Sequence, residues 1–433
     1  MSPKDLLLAL TVVLVWGVNF VVIKVGLHGV PPMLLGALRF ALVAFPAVLF
    51  VPRPKIPLKW LLAYGATISF GQFAFLFSAM YVGMPAGLAS LVLQSQAFFT
   101  LLIGMLWLGE RFTPWQLAGL LIGSTGLYLI GGLGAGGRGY YALDITDPAS
   151  PQALWEFTHD NLGLSYGQPV VTKRADGTWV VVFTSGLNNV SPGDGNGHLF
   201  VLNAGTGALL HTVPTYITGT TAAGNTSTPS GLMKLNAWVP EAANNTALRF
   251  YGADMLGNIW RFEIDGPATV ATDGTSTPFV PKATLLAQLE DANGNAQPVT
   301  ARLELAEVTY GTATYPVVLA GTGRYLGKSD LNDATENLVQ SIYAVKDPLT
   351  STGWGVLRDL STVVAQTLTV SGNTATVTSN AVDWSTKAGW YVDLPNANER
   401  IAIDMSLQYN TLAAVSAIPT SDTCSASGES WLY

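Results

Sequence analysis

The chain has one cysteine, Cys424, among 433 residues. That excludes an intrachain disulfide and a cysteine-rich metal site. Its four histidines are too few and too scattered to suggest a histidine-cluster metal centre. Charged residues are only 11% of the chain, against roughly a quarter in an ordinary soluble protein. The net charge of −7 argues against nucleic acid as a partner. No G-x-S-x-G elbow, HExxH, P-loop or dinucleotide fingerprint is present. His159 beside Asp160 is an adjacent pair that reads as a surface turn. The sequence therefore reads as non-enzymatic, with no certain cofactor.

What is present divides in two near residues 131–137. The first 133 residues carry seven Lys/Arg against two acids, a net of +5. The remaining 300 carry fourteen against twenty-six, a net of −12, with many Gly, Thr, Asn and Asp. Such an asymmetry predicts two domains, 1–133 and 134–433, suited to two environments.

Five apolar stretches in the first part are long enough to cross a bilayer: Leu6–Leu27, Met33–Val51, Trp60–Val82, Ala86–Leu108 and Pro114–Ile130. The expectation is a membrane all-α five-helix bundle. Lys4, Arg53, Lys55, Lys59 and Arg111 fall on one side of it, and the positive-inside rule puts the N-terminus in the cytoplasm. An odd number of spans then delivers the second part to the periplasm or cell surface. On this reading the protein has the lipid bilayer as a partner. Polar residues inside spans are functional candidates by default. Asn19, Lys24, Arg39, Gln72, Gln94 and Gln96, with Trp16, are the candidate lining of a solute path. The alternative is that Lys24 and Arg39 reach an interface and the amides only tie helices together.

The second part contains short strands between Gly/Asn/Asp turns, with a weak internal repeat. Its copies are Trp179–Gly186 with Gly197–Gly207, Ala247–Gly257 with Asn258–Gly266, and Thr314–Gly323 with Ser341–Pro348. Each pairs a strand ending in Gly with a second that starts at a Gly or small polar residue and carries an aromatic. This pattern predicts an all-β, incomplete β-propeller, with a β-sandwich or irregular solenoid as the alternative. The first copy is cut. Gly137–Pro148 reads as a second strand, but the text upstream, Leu127–Gly137, is the end of the fifth apolar stretch. Either that stretch ends early and its tail serves as a strand, or the propeller is open there.

Calcium sites use Asp and Asn oxygens on a turning loop. The candidates are Asp194 and Asn196; Asp291, Asn293 and Asn295; and Asp330, Asn332 and Asp333, with Glu336 nearby. None completes a twelve-residue calcium loop, and turn chemistry alone enriches the same residues. Calcium is a possible cofactor on this reading.

Trp16–Pro32 (WGVNFVVIKVGLHGVPP), Arg39 in LRF, Ile68–Ala79, Gly83–Thr100 and Gly109–Gly119 resemble the EamA branch of the drug/metabolite transporters. The resemblance implies a place in a bacterial inner membrane and export of small amino-acid metabolites of the cysteine and O-acetylserine type. That family has ten spans in two repeats and only one repeat stands here, so a homodimer through the membrane part would have to replace the second. Gly131–Pro148, Leu154–Val171, Trp179–Asn189, Gly193–Gly207, Tyr251–Asp265, Ala320–Leu326, Gly389–Pro395 and Ser430–Tyr433 resemble the C-terminal β-propeller of the PilY family of type IV pilus factors. This implies a role in pilus extension, attachment and twitching motility, with pilins or pilus assembly proteins as partners and calcium as a regulator. Three readings follow: a membrane-anchored pilus component, a metabolite exporter with a β appendage, or a non-functional fusion of two truncated genes.

Overall fold

A computed structural model describes residues 128–433, apart from 148–149, 241–243, 248, 271–275, 328–329, 332–337, 409 and 420–427. Upstream it describes only Leu34, Leu38, Phe45, Pro57, Lys59, Gly65, Phe75 and Ser78. The chain divides into two compact units, residues 1–125 and 126–433.

The expected five-helix membrane bundle is corrected. Among the described residues no helix is long and apolar enough to cross a membrane. The fifth expected span, Pro114–Ile130, ends in residues that form a strand, because Tyr128–Gly132 pairs antiparallel with Tyr140–Asp144. An apolar run alone does not distinguish a helix from a strand. The rest of the expected spans falls almost wholly outside the described residues. With the bundle go the membrane anchor, the bilayer as partner, the homodimer through the membrane part and the inner-membrane placement, none of which the described residues support.

The second unit is a succession of sheets whose strands pair antiparallel, except that Val363–Gln366 pairs parallel with Gly389–Asp393 in the fourth. The first is β1 (Tyr128–Gly132), β2 (Tyr140–Asp144) and β3 (Gln152–Phe157), in that spatial order. The second is the four-stranded meander β4 (Val170–Lys173), β5 (Trp179–Thr184), β6 (His198–Asn203) and β7 (Leu209–Pro214). A small hairpin, β8 (Tyr216–Thr218) and β9 (Thr221–Ala222), leads to the third sheet. That sheet is β10 (Leu235–Trp238), β11 (Arg249–Ala253), β12 (Asn258–Glu263) and β15 (Lys282–Gln288), with hairpin β13 (Thr269–Val270) and β14 (Ser276–Thr277) inserted before its last strand. The fourth is β16 (Glu304–Tyr310), β17 (Ala313–Gly321), β18 (Ser341–Lys346), β22 (Gly389–Asp393) and β19 (Val363–Gln366). Hairpin β20 (Leu368–Ser371) and β21 (Thr374–Val377) projects from it. Hairpins β23 (Ser406–Gln408) with β24 (Thr411–Ala413), and β25 (Val415–Pro419) with β26 (Gly428–Leu432), end the chain.

Strand periodicity explains how the sheets stack. Successive side chains point to opposite faces. On β5, Val181 and Phe183 join one core with Tyr140, Ala142 and Trp155 of the first sheet. Val180 and Val182 join another with Phe250, Trp260 and Phe262 of the third. On β11 and β12, Tyr251, Ala253 and Ile259 turn the other way, to meet Val318, Ala320, Tyr343 and Val345 of the fourth. Val317, Leu319, Ile342 and Ala344 then face Ile401, Met405 and Ala414. The second and third sheets are thus apolar on both faces and each sits between two neighbouring sheets, as blades do. Trp260, Phe183, Phe200 and Phe262 are fully buried in these seams, each contributing about 1.5–3 kcal/mol.

Candidate functional site

The reversals 133–139, 185–197, 254–257 and 322–340 join the paired strands of the four sheets and are stitched to neighbouring segments by backbone hydrogen bonds. Gly134 N donates to Ser165 O at 3.2 Å, and Gly186 N to Leu232 O at 2.8 Å. Ser230 N donates to Gly195 O and Met255 N to Ser230 O, both at 2.8 Å. Val299 N donates to Asp254 O at 3.1 Å and Gly323 N to Pro298 O at 2.7 Å. Of the residues that the sequence suggested for cation binding, these reversals carry Asp194, Asn196 and Asp330.

Those candidates do not come together. The Asp194 carboxylate accepts from Asn196 N at 2.9 Å and lies 3.0 Å from His198 Nε2 through each oxygen. Asn196 is buried; its amide donates to Thr215 O, and its Oδ1 accepts from Thr215 Oγ1, Ala223 N and Gly224 N. Asp291 accepts from Asn293 N, Asn295 N and Asn295 Nδ2, closing its own turn. Those bonds hold its carboxyl below the usual range despite the opposing effect of burial. Asp330 is bound by Arg324 Nε at 2.7 Å and by Leu326 N and Gly327 N. Asn332, Asp333 and Glu336 lie outside the described residues, as do Cys424 and the solute-path candidates Trp16, Asn19, Lys24, Arg39, Gln72, Gln94 and Gln96. Among the described residues no three His, Cys, Asp or Glu side chains cluster closely enough to hold a metal.

The reversals instead hold buried polar nodes that sequence reasoning missed. Asp254 is wholly buried and accepts from Leu256 N, Asn258 N, Asn258 Nδ2, Trp260 Nε1 and Ser230 Oγ. Burial pushes its carboxyl up, against the downward pull of those donors. The signal was available: Asp254, Gly257 and Asn258 have the spacing of a tight turn between two apolar strands. His198 is also buried, and burial lowers its pKa although Asp194 opposes the shift. His159 accepts Asn161 N at Nδ1, 3.1 Å away, as befits a turn.

Arg358 gathers a second node. Its guanidinium binds Asp393, Ser341 Oγ and Glu290 O and lies 4.2 Å from the centre of the Tyr391 ring. Burial disfavours its charge, but Asp393 and Tyr343 together more than compensate and its pKa is raised. The single Tyr343 hydroxyl proton has two acceptors in reach, Gln297 Oε1 at 2.5 Å and Glu290 O at 3.0 Å. Burial pushes Tyr343 up to about 12. Beside this node a shallow cleft is lined by Pro298, Arg324, Leu338, Gln340, Asn398, Glu399 and Arg400. These groups hold loops and neighbouring sheets together.

Two family profiles match. The family described as the PilY1 beta-propeller domain matches residues 120–380, and the EamA-like transporter family matches residues 4–132. The matches overlap over 120–132, the stretch that contains β1. The N-terminal part is 63% identical over 130 residues to a protein named probable amino-acid metabolite efflux pump from Escherichia coli, covering 30% of this chain and 44% of that one. The C-terminal part is 29% identical over 338 residues to a type IV pilus biogenesis factor PilY1 homolog of Xylella fastidiosa, covering 72% of this chain and 22% of that one. The PilY1 factor of Pseudomonas aeruginosa is 29% identical over 345 residues, covering 70% and 28%. The crystal structure of the Pseudomonas aeruginosa PilY1 C-terminal domain superposes with a TM-score of 0.57 at 25% identity, covering 71% of this chain and 66% of that one. The chain spans less than half the length of each of these curated relatives. Neither matched family is catalytic, and the protein is non-enzymatic. The chain carries an EamA-like N-terminal domain, consistent with a fusion, and through its C-terminal unit it belongs to the PilY1 β-propeller domain family.

Proposed function

We propose that residues 126–433 act in type IV pilus biogenesis and adhesion as a non-enzymatic recognition module. The observation that carries this reading is the blade-like succession of sheets, packed face to face through shared apolar seams, over the region similar to named pilus biogenesis factors. The polar nodes around Asp254 and Arg358 support it, because they rigidify loops without assembling a nucleophile, a base or a metal cluster among the described residues. A rigid loop surface loses little conformational freedom on binding.

Domain replacement tests the reading. Residues 126–433 would replace the corresponding C-terminal domain of the Pseudomonas aeruginosa factor, and surface pili and attachment would be counted. Restored piliation is expected. A hybrid present at normal levels in cells that remain bald would overturn it.

A further inference from the structure

The first sheet differs from its neighbours at one edge. In the other sheets the strand preceding the reversal is paired on both sides: β5 between β4 and β6, β11 between β10 and β12, and β17 between β16 and β18. Its counterpart β1 pairs with β2, and among the described residues no strand covers its other edge.

The correspondence can be drawn residue by residue. Gly134 N donates to Ser165 O ahead of β4, and Gly186 N donates to Leu232 O ahead of β10. Aligning these glycines places Ile130 at the position of Val182 and Tyr128 at that of Val180. The cores agree, since Ile130 packs into the seam with the second sheet as Val182 packs into the seam with the third. Val182 and Val180 are covered by Val170 and Thr172 of β4. On β1, Leu133 N donates to Gly139 O on the β2 side. Strand alternation therefore turns the N–H groups of Tyr128, Ile130 and Gly132 outward. Tyr128 and Leu129 are 57% and 45% exposed.

We infer that the outer edge of β1 is a strand-acceptor site, completed by an extended, basic-flanked segment of another polypeptide that pairs antiparallel with Tyr128–Gly132. Addition of a strand to an open edge supplies main-chain hydrogen bonds for affinity and alternate side chains for register. The occupant carries an apolar residue opposite Ile130, as β4 carries Val170 opposite Val182. Charge selects a foreign basic strand over a second copy. Residues 128–157 hold three acids, Asp144, Asp147 and Glu156, against Arg138, and residues 134–433 have a net charge of −12. β4 itself ends in Lys173 and is followed by Arg174.

The test adds a synthetic peptide with the sequence of residues 168–174 (QPVVTKR) to the full chain, reading binding by fluorescence anisotropy and backbone amide exchange by mass spectrometry. Binding should slow exchange over residues 128–132. Ile130→Pro removes an outward N–H but leaves the β2-facing groups intact, and proline is tolerated at such edges. It should weaken binding at least about tenfold, whereas Ile130→Val should change it less than about twofold. A peptide N-methylated at the residues matching Val170 and Thr172 should fail to bind the unaltered protein, a result independent of variant folding. Three outcomes overturn the inference: no peptide binding, amides at 128–132 already protected in the free chain, or a concentration-dependent dimer that occupies the edge.

Discussion

Arg261 Nη1 lies 2.6 Å from Asp347 Oδ1, and both side chains are essentially sealed from water. The pair ties β12 of the third sheet to the segment after β18 of the fourth. Tyr251 donates to Asp347 Oδ2 at 2.7 Å, Leu349 N to Oδ1 at 2.8 Å, and Arg261 Nη2 to Thr350 O at 2.6 Å. Burial, then the Asp347 charge, drives the Tyr251 pKa upward.

A buried pair is weak evidence for net stability, but removing one member strands the other without water. Asp347→Ala and Arg261→Ala should each cost about 3–5 kcal/mol, read as a shift of the urea midpoint. The double variant should lose less than the sum, because the second change removes a charge already orphaned. Strict additivity would show that the two side chains are not coupled across the seam.

Asp254 is the node of the third sheet's reversal. Asp254→Ala leaves Trp260 Nε1 and the amides of Leu256 and Asn258 without their acceptor. Burying such unpaired donors costs about 1–3 kcal/mol each. The variant should unfold at clearly lower urea, with red-shifted tryptophan emission as Trp260 meets water. An unchanged midpoint would contradict the buried geometry.

How far these nodes were legible in the sequence depends on what kind of signal each left. The strands Trp179–Thr184 and His198–Asn203 show as β-branched and aromatic runs bounded by glycine, and their pairing is local. Asp254 and Gly257 mark a turn, but nothing local says that Trp260 will bend its ring back onto the carboxylate. Arg261 and Asp347 are 86 residues apart, so only the stacking of sheets brings them together. The calcium-like spacing of Asp291, Asn293 and Asn295 is real spacing put to a different use, since a carboxylate that closes its own turn selects the same residues. Tyr128–Gly132 was ambiguous for a physical reason. Leu127–Ile130 is apolar enough for a helix end and short enough for a strand, and only pairing with Tyr140–Asp144 decides between them.

His198 makes stability depend on pH. Burial lowers its pKa below the ordinary imidazole value of 6.5, with Asp194 opposing through both carboxylate oxygens and His159 adding repulsion. The folded state therefore prefers the neutral ring. Its contribution is fully present above 6.5 and is lost as the pH falls from there through the lower folded value. Thermal midpoints measured from pH 7.5 to 5 should fall, and His198→Gln should flatten that decline. An equal slope in the variant would assign the effect to other groups.

Gly389 and Gly372 give a matched pair of substitutions. Both have positive φ, +147° and +60°. A Cβ on Gly372, in the turn between β20 and β21, meets nothing within 4 Å. Gly372→Ala should therefore cost only about 1–2 kcal/mol, the penalty of the left-handed backbone. A Cβ on Gly389 would stand 1.8 Å from Ala344 O. Gly389 opens β22, which pairs with β18 through Val345 and with β19 through Val363, so no flexible side chain can yield. Relief requires parting the strands that bury Tyr343 and Val345 against the third sheet. Gly389→Ala should cost more than about 4 kcal/mol and expose residues 341–346 to rapid amide exchange, while Gly372→Ala leaves them protected. Comparable losses in the two variants would mean that backbone conformation, and not the close approach of β22 to β18, governs the fourth sheet.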